Sequence, residues 1–322
     1  MTPQKIGCLL VVALLQACSG GSEDVPSTFA IATGGPAGLY YPYGGGLASM
    51  WSKHLDQVNA KAEVTGGSVV NVIQVARRES EMGIAMADVV TAAYNGSGRF
   101  PEPLPLRVLF AAYPNIVHML TLRENGIVGV GDLVGKRVSL GAAGSGTAVA
   151  AENVLSGLGF SLEDIAPVYL SFAETTSALK DGTIDAGFVV GGLGIAAVTE
   201  LSVTRNLHLI PLSTAELGQL TQAYPTYAGY EIPGGTYSGV DQGVQALGIW
   251  SAVVVHEDFP EQVAFDLVCT LYAEQAALLK VARVAQATTV TNIAQVATVP
   301  LHPGTQAYLD RLATEPELDC SS

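Results

Sequence analysis

The feature that most constrains this chain is a junction that occurs four times. At each one a strand-like apolar run ends in glycine, often with hydroxyl-bearing residues, and a helix-like segment follows. Strands that alternate with helices in this way favour an α/β fold with a parallel-rich sheet and helices on both faces. The junctions are TGGPAGLYYPYGGG at 33–46, TGGS at 65–68, GAAGSGT at 141–147 and VGG at 190–192.

These junctions point to a ligand. In an open α/β sheet, ligands sit outside the carboxyl ends of the strands, which is where the junctions would lie. Glycine lets a backbone approach a ligand closely, and the start of a helix offers unpaired N–H groups and a positive dipole. We therefore expect the junctions to bind an anion, such as a carboxylate.

More specific glycine motifs do not fit. The 141–147 segment has the spacing of a phosphate-binding loop, but Thr147 stands where that loop needs lysine. The first junction lacks the G-x-G-x-x-G pattern, and Ser145 lacks the outer glycines of G-x-S-x-G. The five histidines show neither metal-site nor triad spacing. The sequence therefore predicts no catalytic residue, no metal and no cofactor.

Length and charge narrow the class of protein. The chain has 322 residues, enough for two lobes, and its formal charge of −14 argues against a nucleic-acid partner.

Apolar patterns predict the following elements. Strands are expected at 29–33, 61–65, 82–86, 106–113, 116–122, 137–140, 184–190, 207–212 and 247–256, and helices at 47–55, 69–76, 148–158 and 260–284.

The N-terminus reads as an export signal. Lys5 precedes an apolar run of about ten residues, too short to span a membrane. Leu15, Ala17 and Cys18 then match a bacterial lipobox, which predicts a signal peptide at 1–17 and a lipidated Cys18 opening a flexible tether at 18–27. An ordinary signal peptide with an incidental cysteine is the alternative. We expect a periplasmic or extracytoplasmic protein that touches the membrane only through its lipid anchor.

Two cysteines remain in the body of the chain, Cys269 and Cys320. In an oxidising compartment an even pair favours a disulfide, and two free thiols are the alternative. Without a C-x-x-C motif, zinc binding is not expected.

Six segments, in order along nearly the whole mature chain, resemble the solute receptors of TRAP transporters, TAXI subfamily. The resemblance implies a two-lobed periplasmic binding protein of type II, with a hinge and a ligand cleft between the lobes. It implies a monomer that delivers a small carboxylate or amino acid, similar to glutamate or glutamine, to TRAP membrane permease subunits. We expect lobes at 28–123 plus 213–322 and at 124–212. The segments are TGGPAGLYYPYGGGLA, TGGSVVN, GIAMADV, DLVGKRVSLGAAGSGT, DGTIDAGFVVGG and PLHPG.

The resemblance also assigns candidate ligand-binding residues. Some of them have a structural alternative. Tyr41 could pack on the hinge and Asn71 could face solvent, and four could serve only as helix caps, namely Ser68, Asp88, Ser145 and Thr147. Arg137 is expected to pack within its lobe and is not assigned to the site. The candidates are Thr33, Gly35, Tyr40, Tyr41, Ser68, Asn71, Asp88, Ser145, Gly146, Thr147 and Gly191.

The chain departs from the family pattern in one place that bears on the ligand. Met86 and Ala87 stand where the family often has Gln-Ser, and Val70 replaces an acid or polar residue. A ligand with a less polar tail therefore becomes a further hypothesis. Two other functions stay open at this point: a receptor of the same fold that signals to a sensor kinase, and a periplasmic enzyme that uses Ser145.

Overall fold

The computed structural model describes residues 28–316 and 318–320. The predicted signal peptide, Cys18 and the tether lie outside the described residues. Within the described ranges, no helix is both long and apolar enough to cross a membrane.

In the described part of the chain, ten strands form one curled, mixed sheet. The strands are β1 (Phe29–Ala32), β2 (Ala60–Glu63), β3 (Met82–Met86), β4 (Leu106–Leu122), β5 (Arg137–Ser139), β6 (Ala166–Val168), β7 (Ala186–Gly191), β8 (Leu207–Leu209), β9 (Tyr227–Ile232) and β10 (Val244–His256).

Helices follow most of the strands and cover the sheet. They are α1 (Tyr40–His54), α2 (Ser68–Ala76), α3 (Ala87–Asn95), α4 (Gly146–Gly157), α5 (Phe172–Lys180), α6 (Ala196–Thr204), α7 (Thr214–Ala223), α8 (Glu261–Ala273), α9 (Gln275–Val281) and α10 (Pro303–Thr314).

The long strands β4 and β10 run antiparallel through the middle of the sheet, in the order β2-β1-β3-β10-β4-β7-β5-β6. β8 pairs with β4 and β9 with β10. Strands β1 to β3 are parallel to one another, as are β5 to β7. The α/β architecture predicted from the sequence is confirmed.

Buried apolar side chains of the described residues form four clusters, two mainly in each lobe, on either side of the middle of β4 and β10. The first lobe contains α1 to α3 and α8 to α10, and the second contains α4 to α7. The predicted division assigned residues 213–322 to the first lobe. Leu220 of α7 and Tyr227 of β9 instead pack with Val138 and Phe188 of the second lobe, because β9 pairs with Val244–Ile249 of β10.

Several elements differ from the sequence-based expectation. The two strands expected at 106–113 and 116–122 form the single strand β4. The helix expected at 260–284 is interrupted at Glu274, where α8 ends and α9 begins. The helices α5, α6, α7 and α10 and the strands β6 and β9 were not predicted.

Two contacts stabilise the periphery of the lobes. Cys269 and Cys320 form a disulfide, which ties the C-terminal tail to α8. Arg137 pairs with Asp185 within the second lobe, as expected for a packing residue, and this ion pair lowers the pKa of the Asp185 carboxyl.

Candidate functional site

A cavity of about 350 Å³ lies where the glycine-rich junctions of the two lobes meet. Its wall includes all four junctions predicted from the sequence, together with residues of β4 and the start of α5. The predicted site residues that line it are Gly35, Tyr40, Ser68, Ser145, Gly146, Thr147 and Gly191.

The first junction forms one wall through residues 34–40. The Gly38 amide donates to the Gly35 carbonyl, which folds the segment into a turn before α1. The Tyr40 hydroxyl lies 2.6 Å from the Ser251 hydroxyl, and burial raises the pKa of Tyr40 to about 12. Tyr41, the next residue, is 38% exposed and does not line the cavity.

Thr33 and Asn71 support this wall from behind and do not line the cavity. The Thr33 hydroxyl donates to the Glu63 carbonyl at 2.6 Å. The Asn71 amide donates to the carbonyls of Thr33 and Ile84 at 2.6 and 2.7 Å, so it joins the ends of β1 and β3. Both side chains are fully buried, so their polar atoms stabilise the protein itself.

Ser68 and Met86 form the next part of the wall. The Ser68 hydroxyl accepts from the Met86 amide at 3.1 Å, which holds the start of α2 against the end of β3. Met86 therefore presents a thioether to the cavity where the resemblance would place a side-chain amide.

Asp88 lies outside the lining. Its carboxylate accepts from the Tyr227 hydroxyl at 2.9 Å and from the Val89 amide at 2.8 Å. The Tyr227 hydroxyl also accepts from the Asn153 amide at 2.9 Å, so this chain of bonds joins α3 of the first lobe to α4 of the second. Burial raises the pKa of Asp88 to about 6.

The second lobe closes the cavity through Ala142 and residues 145–147. The Ser145 hydroxyl accepts from the Ala148 amide at 3.1 Å and so caps α4. The Gly144 carbonyl accepts from the Val69 and Val70 amides of α2 at 3.1 and 3.3 Å. These two bonds join the lobes directly, so the cleft is closed in this structure.

Gly146 lies close to the first lobe. A Cβ atom added there would come within 2.6 Å of the Ser68 hydroxyl and would also overlap the Met86 methyl group. A side chain at this position therefore requires Ser68 and Met86 to shift in the closed form.

Sequence reasoning missed several lining residues, chiefly Tyr113 and Asn115 of β4 and Ser171 and Phe172 at the start of α5. Ala112 and Tyr113 lie opposite the single residue Ser251, so β4 has a bulge at the cavity. The polar Asn115 within an apolar run and the S-x-x-E pattern of Ser171 and Glu174 were the available signals.

Among the described lining residues, Tyr113 is the one with a buried side-chain polar atom that lacks a hydrogen-bond partner. Its side chain is 1% exposed, and the hydroxyl has no hydrogen-bond partner in the described part of the chain. Burial raises its pKa well above the usual value, so the group stays protonated and can donate.

The lining carries no formal charge. Of the described residues that line the cavity, none is an acid, a lysine, an arginine or a histidine. The described ranges also contain no cluster of histidine, cysteine and acid residues suited to a metal ion. The Ser145 hydroxyl accordingly has no side chain in the lining that could act as a general base.

Comparison with known proteins places this geometry in context. A family model described as the NMT1-like family matches residues 31–310. Among solved structures, PhnD1 from Prochlorococcus marinus in complex with methylphosphonate is 12% identical, with 91% of this chain and 100% of that chain covered and a TM-score of 0.55. A Xanthomonas citri protein bound to ATP is 10% identical, with coverages of 90% and 96% and a TM-score of 0.53.

A third structure, described as a putative L-cystine ABC transporter from Listeria monocytogenes, is 14% identical. Coverage is 80% of this chain and 94% of that chain, with a TM-score of 0.50. Likeness at these identities establishes a shared fold, that of two-lobed periplasmic binding proteins. The fold implied by the sequence resemblance is thereby confirmed.

Proposed function

The chain belongs to the NMT1-like family, and we propose that it is an extracytoplasmic solute-binding protein that captures a small organic acid or amino acid. The observation that carries this proposal is the cavity itself. It lies between two lobes that contact each other directly, and residues of both lobes line it. A cavity of this kind encloses its ligand when the lobes close and releases it when they open.

The hinge of this motion is proposed at the middle of β4 and β10, the two strands that pass from one lobe to the other. The bulge at Ala112 and Tyr113 interrupts regular pairing there, and the adjacent Pro114 has no N–H to donate to the ladder. Closure follows ligand binding because the ligand contacts both lobes only in the closed form, and such differential contacts shift the equilibrium.

For the partner, we propose the permease subunits of a TRAP transporter, to which the protein would deliver its ligand as a lipid-anchored monomer. The support for TRAP transport is the order of the sequence motifs, whereas one structural neighbour is described as part of an ABC transporter. Uptake assays with each class of permease, supplied with the purified protein, distinguish the two. Mass spectrometry of the membrane-extracted protein tests lipidation of Cys18.

Binding without turnover is the expected chemistry. Ser145 caps α4, and the described lining offers it no general base. A Ser145→Ala variant should therefore lose affinity for a ligand without abolishing any reaction. A receptor that signals to a sensor kinase would use the same cleft. Binding assays therefore do not distinguish transport from signalling, and the identity of the partner, a permease or a kinase, does.

Native mass spectrometry of the purified protein tests the proposed function, because it detects a retained ligand of any class. A thermal-shift panel of organic acids and amino acids follows. A ligand at 100 times its Kd should add about 2.7 kcal/mol to the free energy of unfolding. If the protein retains no small molecule and no compound raises its Tm, the proposal is wrong.

A further inference from the structure

The wall of the cleft is largely apolar away from the glycine loops. Leu39 from the first lobe, Met86 at the lobe boundary, and Phe172 and Val190 from the second lobe all line it. A Cβ atom added at Gly38 would contact the Phe172 ring at 3.3 Å, so the first junction and α5 lie close to each other. A ligand in this cleft buries its tail against hydrocarbon, aromatic and thioether groups.

An ammonium group would have no counter-ion here. No described lining residue is acidic, and the nearby Asp88 is engaged by the Tyr227 hydroxyl and the Val89 amide. Burying a charge without a partner costs several kcal/mol. The same argument disfavours a second carboxylate, because no lysine, arginine or histidine lines the cleft to receive it.

One negative charge, by contrast, has donors available. The first turn of a helix leaves amides without intrahelical acceptors, and α4 begins in the wall at Gly146 and Thr147. The Ser145 hydroxyl satisfies the next amide, that of Ala148, so the Gly146 and Thr147 amides remain as donors at the positive end of α4.

The helix starts differ in which amides are free. At α2 the Val69 and Val70 amides donate to the Gly144 carbonyl. The α5 start is like that of α4: the Ser171 hydroxyl accepts from the Glu174 amide, which leaves the Phe172 and Ala173 amides without intrahelical acceptors. The anion is placed at α4 because its first residue is glycine, whose amide is not shielded by a side chain of its own, and because Gly146 lies against Ser68 and Met86 across the lobe boundary.

The Tyr113 hydroxyl supplies an independent observation. Tyr113 lines the same cavity, and its buried hydroxyl has no hydrogen-bond partner among the described residues. An unsatisfied buried hydroxyl is rare, because it forfeits its bonds to water on folding. A ligand oxygen in the cleft would accept its hydrogen bond.

We propose that the cleft selects a small organic anion with a single carboxylate and an uncharged, apolar tail, and discriminates against α-amino acids and dicarboxylates. This inference rests on the proposed function of the cleft and narrows its ligand class. The Gly146 and Thr147 amides and the Tyr113 hydroxyl bind the carboxylate. The tail packs against Met86 and Phe172.

Titration calorimetry with matched compounds tests the inference. Linear and branched monocarboxylates from butanoate to octanoate are each compared with the α-amino acid, the dicarboxylate and the neutral amide of the same skeleton. The best monocarboxylate should bind at least about tenfold more tightly than each of its three counterparts. The amino acid adds an unpaired ammonium group and the dicarboxylate adds an unpaired carboxylate, whereas the amide lacks the one negative charge that the cleft binds.

Three outcomes overturn the inference. One is an amino acid, dicarboxylate or amide that binds as tightly as its monocarboxylate, and another is a series in which only those counterparts bind. The third is native mass spectrometry that identifies a retained zwitterion or dicarboxylate, which overturns the ligand class while leaving the proposed function intact. Failure of the function itself looks different, since then no compound binds and nothing is retained.

A pair of tyrosine variants tests the role of the unpaired hydroxyl. Tyr113→Phe should weaken binding of the best monocarboxylate by about five- to tenfold and leave the Tm unchanged, since no protein bond is lost. Tyr43→Phe is the control, because its hydroxyl bonds to Thr288 outside the lining. It should lower the Tm and preserve affinity. Equal affinity in Tyr113→Phe and the wild type contradicts the assignment of Tyr113.

Discussion

The side-chain amide of Asn115 lies 2.5 Å from the Ser251 hydroxyl and joins β4 to β10 where both strands pass between the lobes. The same hydroxyl lies 2.6 Å from that of Tyr40, a residue of the cavity wall. A continuous set of hydrogen bonds therefore links the proposed hinge to the ligand cleft.

Removing the central hydroxyl should destabilise the protein. Ser251→Ala leaves the Tyr40 hydroxyl without this partner and the Asn115 amide with only the Ile249 carbonyl, at 3.2 Å. We expect the free energy of unfolding, measured by urea denaturation, to fall by about 1–3 kcal/mol. A double-mutant cycle with Tyr40→Phe should give a coupling of about 0.5–3 kcal/mol.

Ser80→Ala is the matched control for this prediction. Ser80 is 1% exposed and is therefore buried, as Ser251 is. Its hydroxyl has no hydrogen-bond partner among the described residues. Its removal should change stability far less. If the free energy of unfolding falls equally in the two variants, the hydrogen bonds of Ser251 contribute nothing to stability.

Gly146→Ala should prevent full closure of the cleft. The added methyl group would meet the Ser68 hydroxyl and the Met86 methyl group across the lobe boundary. We expect the ligand Kd, measured by calorimetry, to rise about tenfold, since overpacking of this kind costs about 1–3 kcal/mol. Small-angle X-ray scattering should show a larger radius of gyration in the presence of ligand.

Gly45→Ala provides the control in α1, where an added Cβ atom has no neighbour within 4 Å. It should keep the wild-type affinity and gain about 0.5–1 kcal/mol of stability, because alanine favours helix more than glycine does. An unaltered Kd in Gly146→Ala would show that closure tolerates a side chain at this position.

The pKa of Asp88 predicts a pH-dependent stability. Burial raises this pKa from 3.8 to about 6, so the folded state binds the proton more tightly than the unfolded state. The contribution of this group to stability is complete below pH 3.8 and is lost as the pH rises to about 6, with a total on the order of 3 kcal/mol. Asp88→Asn removes this dependence.

Urea denaturation of the wild type and Asp88→Asn between pH 4 and 7, the window that the pKa shift sets, checks the sign. The variant should gain stability relative to the wild type as the pH rises. Asp310→Asn removes the same charge from an exposed position and should follow the wild type. If the difference in free energy of unfolding between Asp88→Asn and the wild type does not vary with pH, the raised pKa of Asp88 is contradicted.

The disulfide should contribute measurably to stability. Cys269 and Cys320 are 51 residues apart, and a bridge over such a loop typically stabilises by about 2–4 kcal/mol. Cys320→Ser keeps the buried Cys269 side chain in place and should lower the Tm. Adding reductant should not change the Tm of this variant, whereas it should lower the Tm of the wild type.

Local signals in the sequence predicted the parts of the site that depend on neighbouring residues. The loop before α1, the TGGS turn and the Ser145 cap each need only a strand end, glycines and a helix start. All three segments line the cavity.

The parts that the sequence did not reveal depend on distant pairing. Tyr113 reaches the cavity through a bulge set by the register of β4 against β10. Asp88 and Asn71 are polar residues near helix starts, where ligand-binding residues are often found. Their actual partners, Tyr227 for Asp88 and the Thr33 carbonyl for Asn71, are apparent only once the lobes are assembled.

The contact of the Gly144 carbonyl with the Val69 and Val70 amides uses backbone atoms alone. Side chains such as Met86, Tyr113 and Phe172 form the wall and take no part in that contact. The backbone contact that joins the lobes and the side chains that line the cleft are thus different atoms of this chain. We expect exchange of Tyr113 or Phe172 to change which ligand is bound while this backbone contact is kept, as a fluorescent biosensor would require.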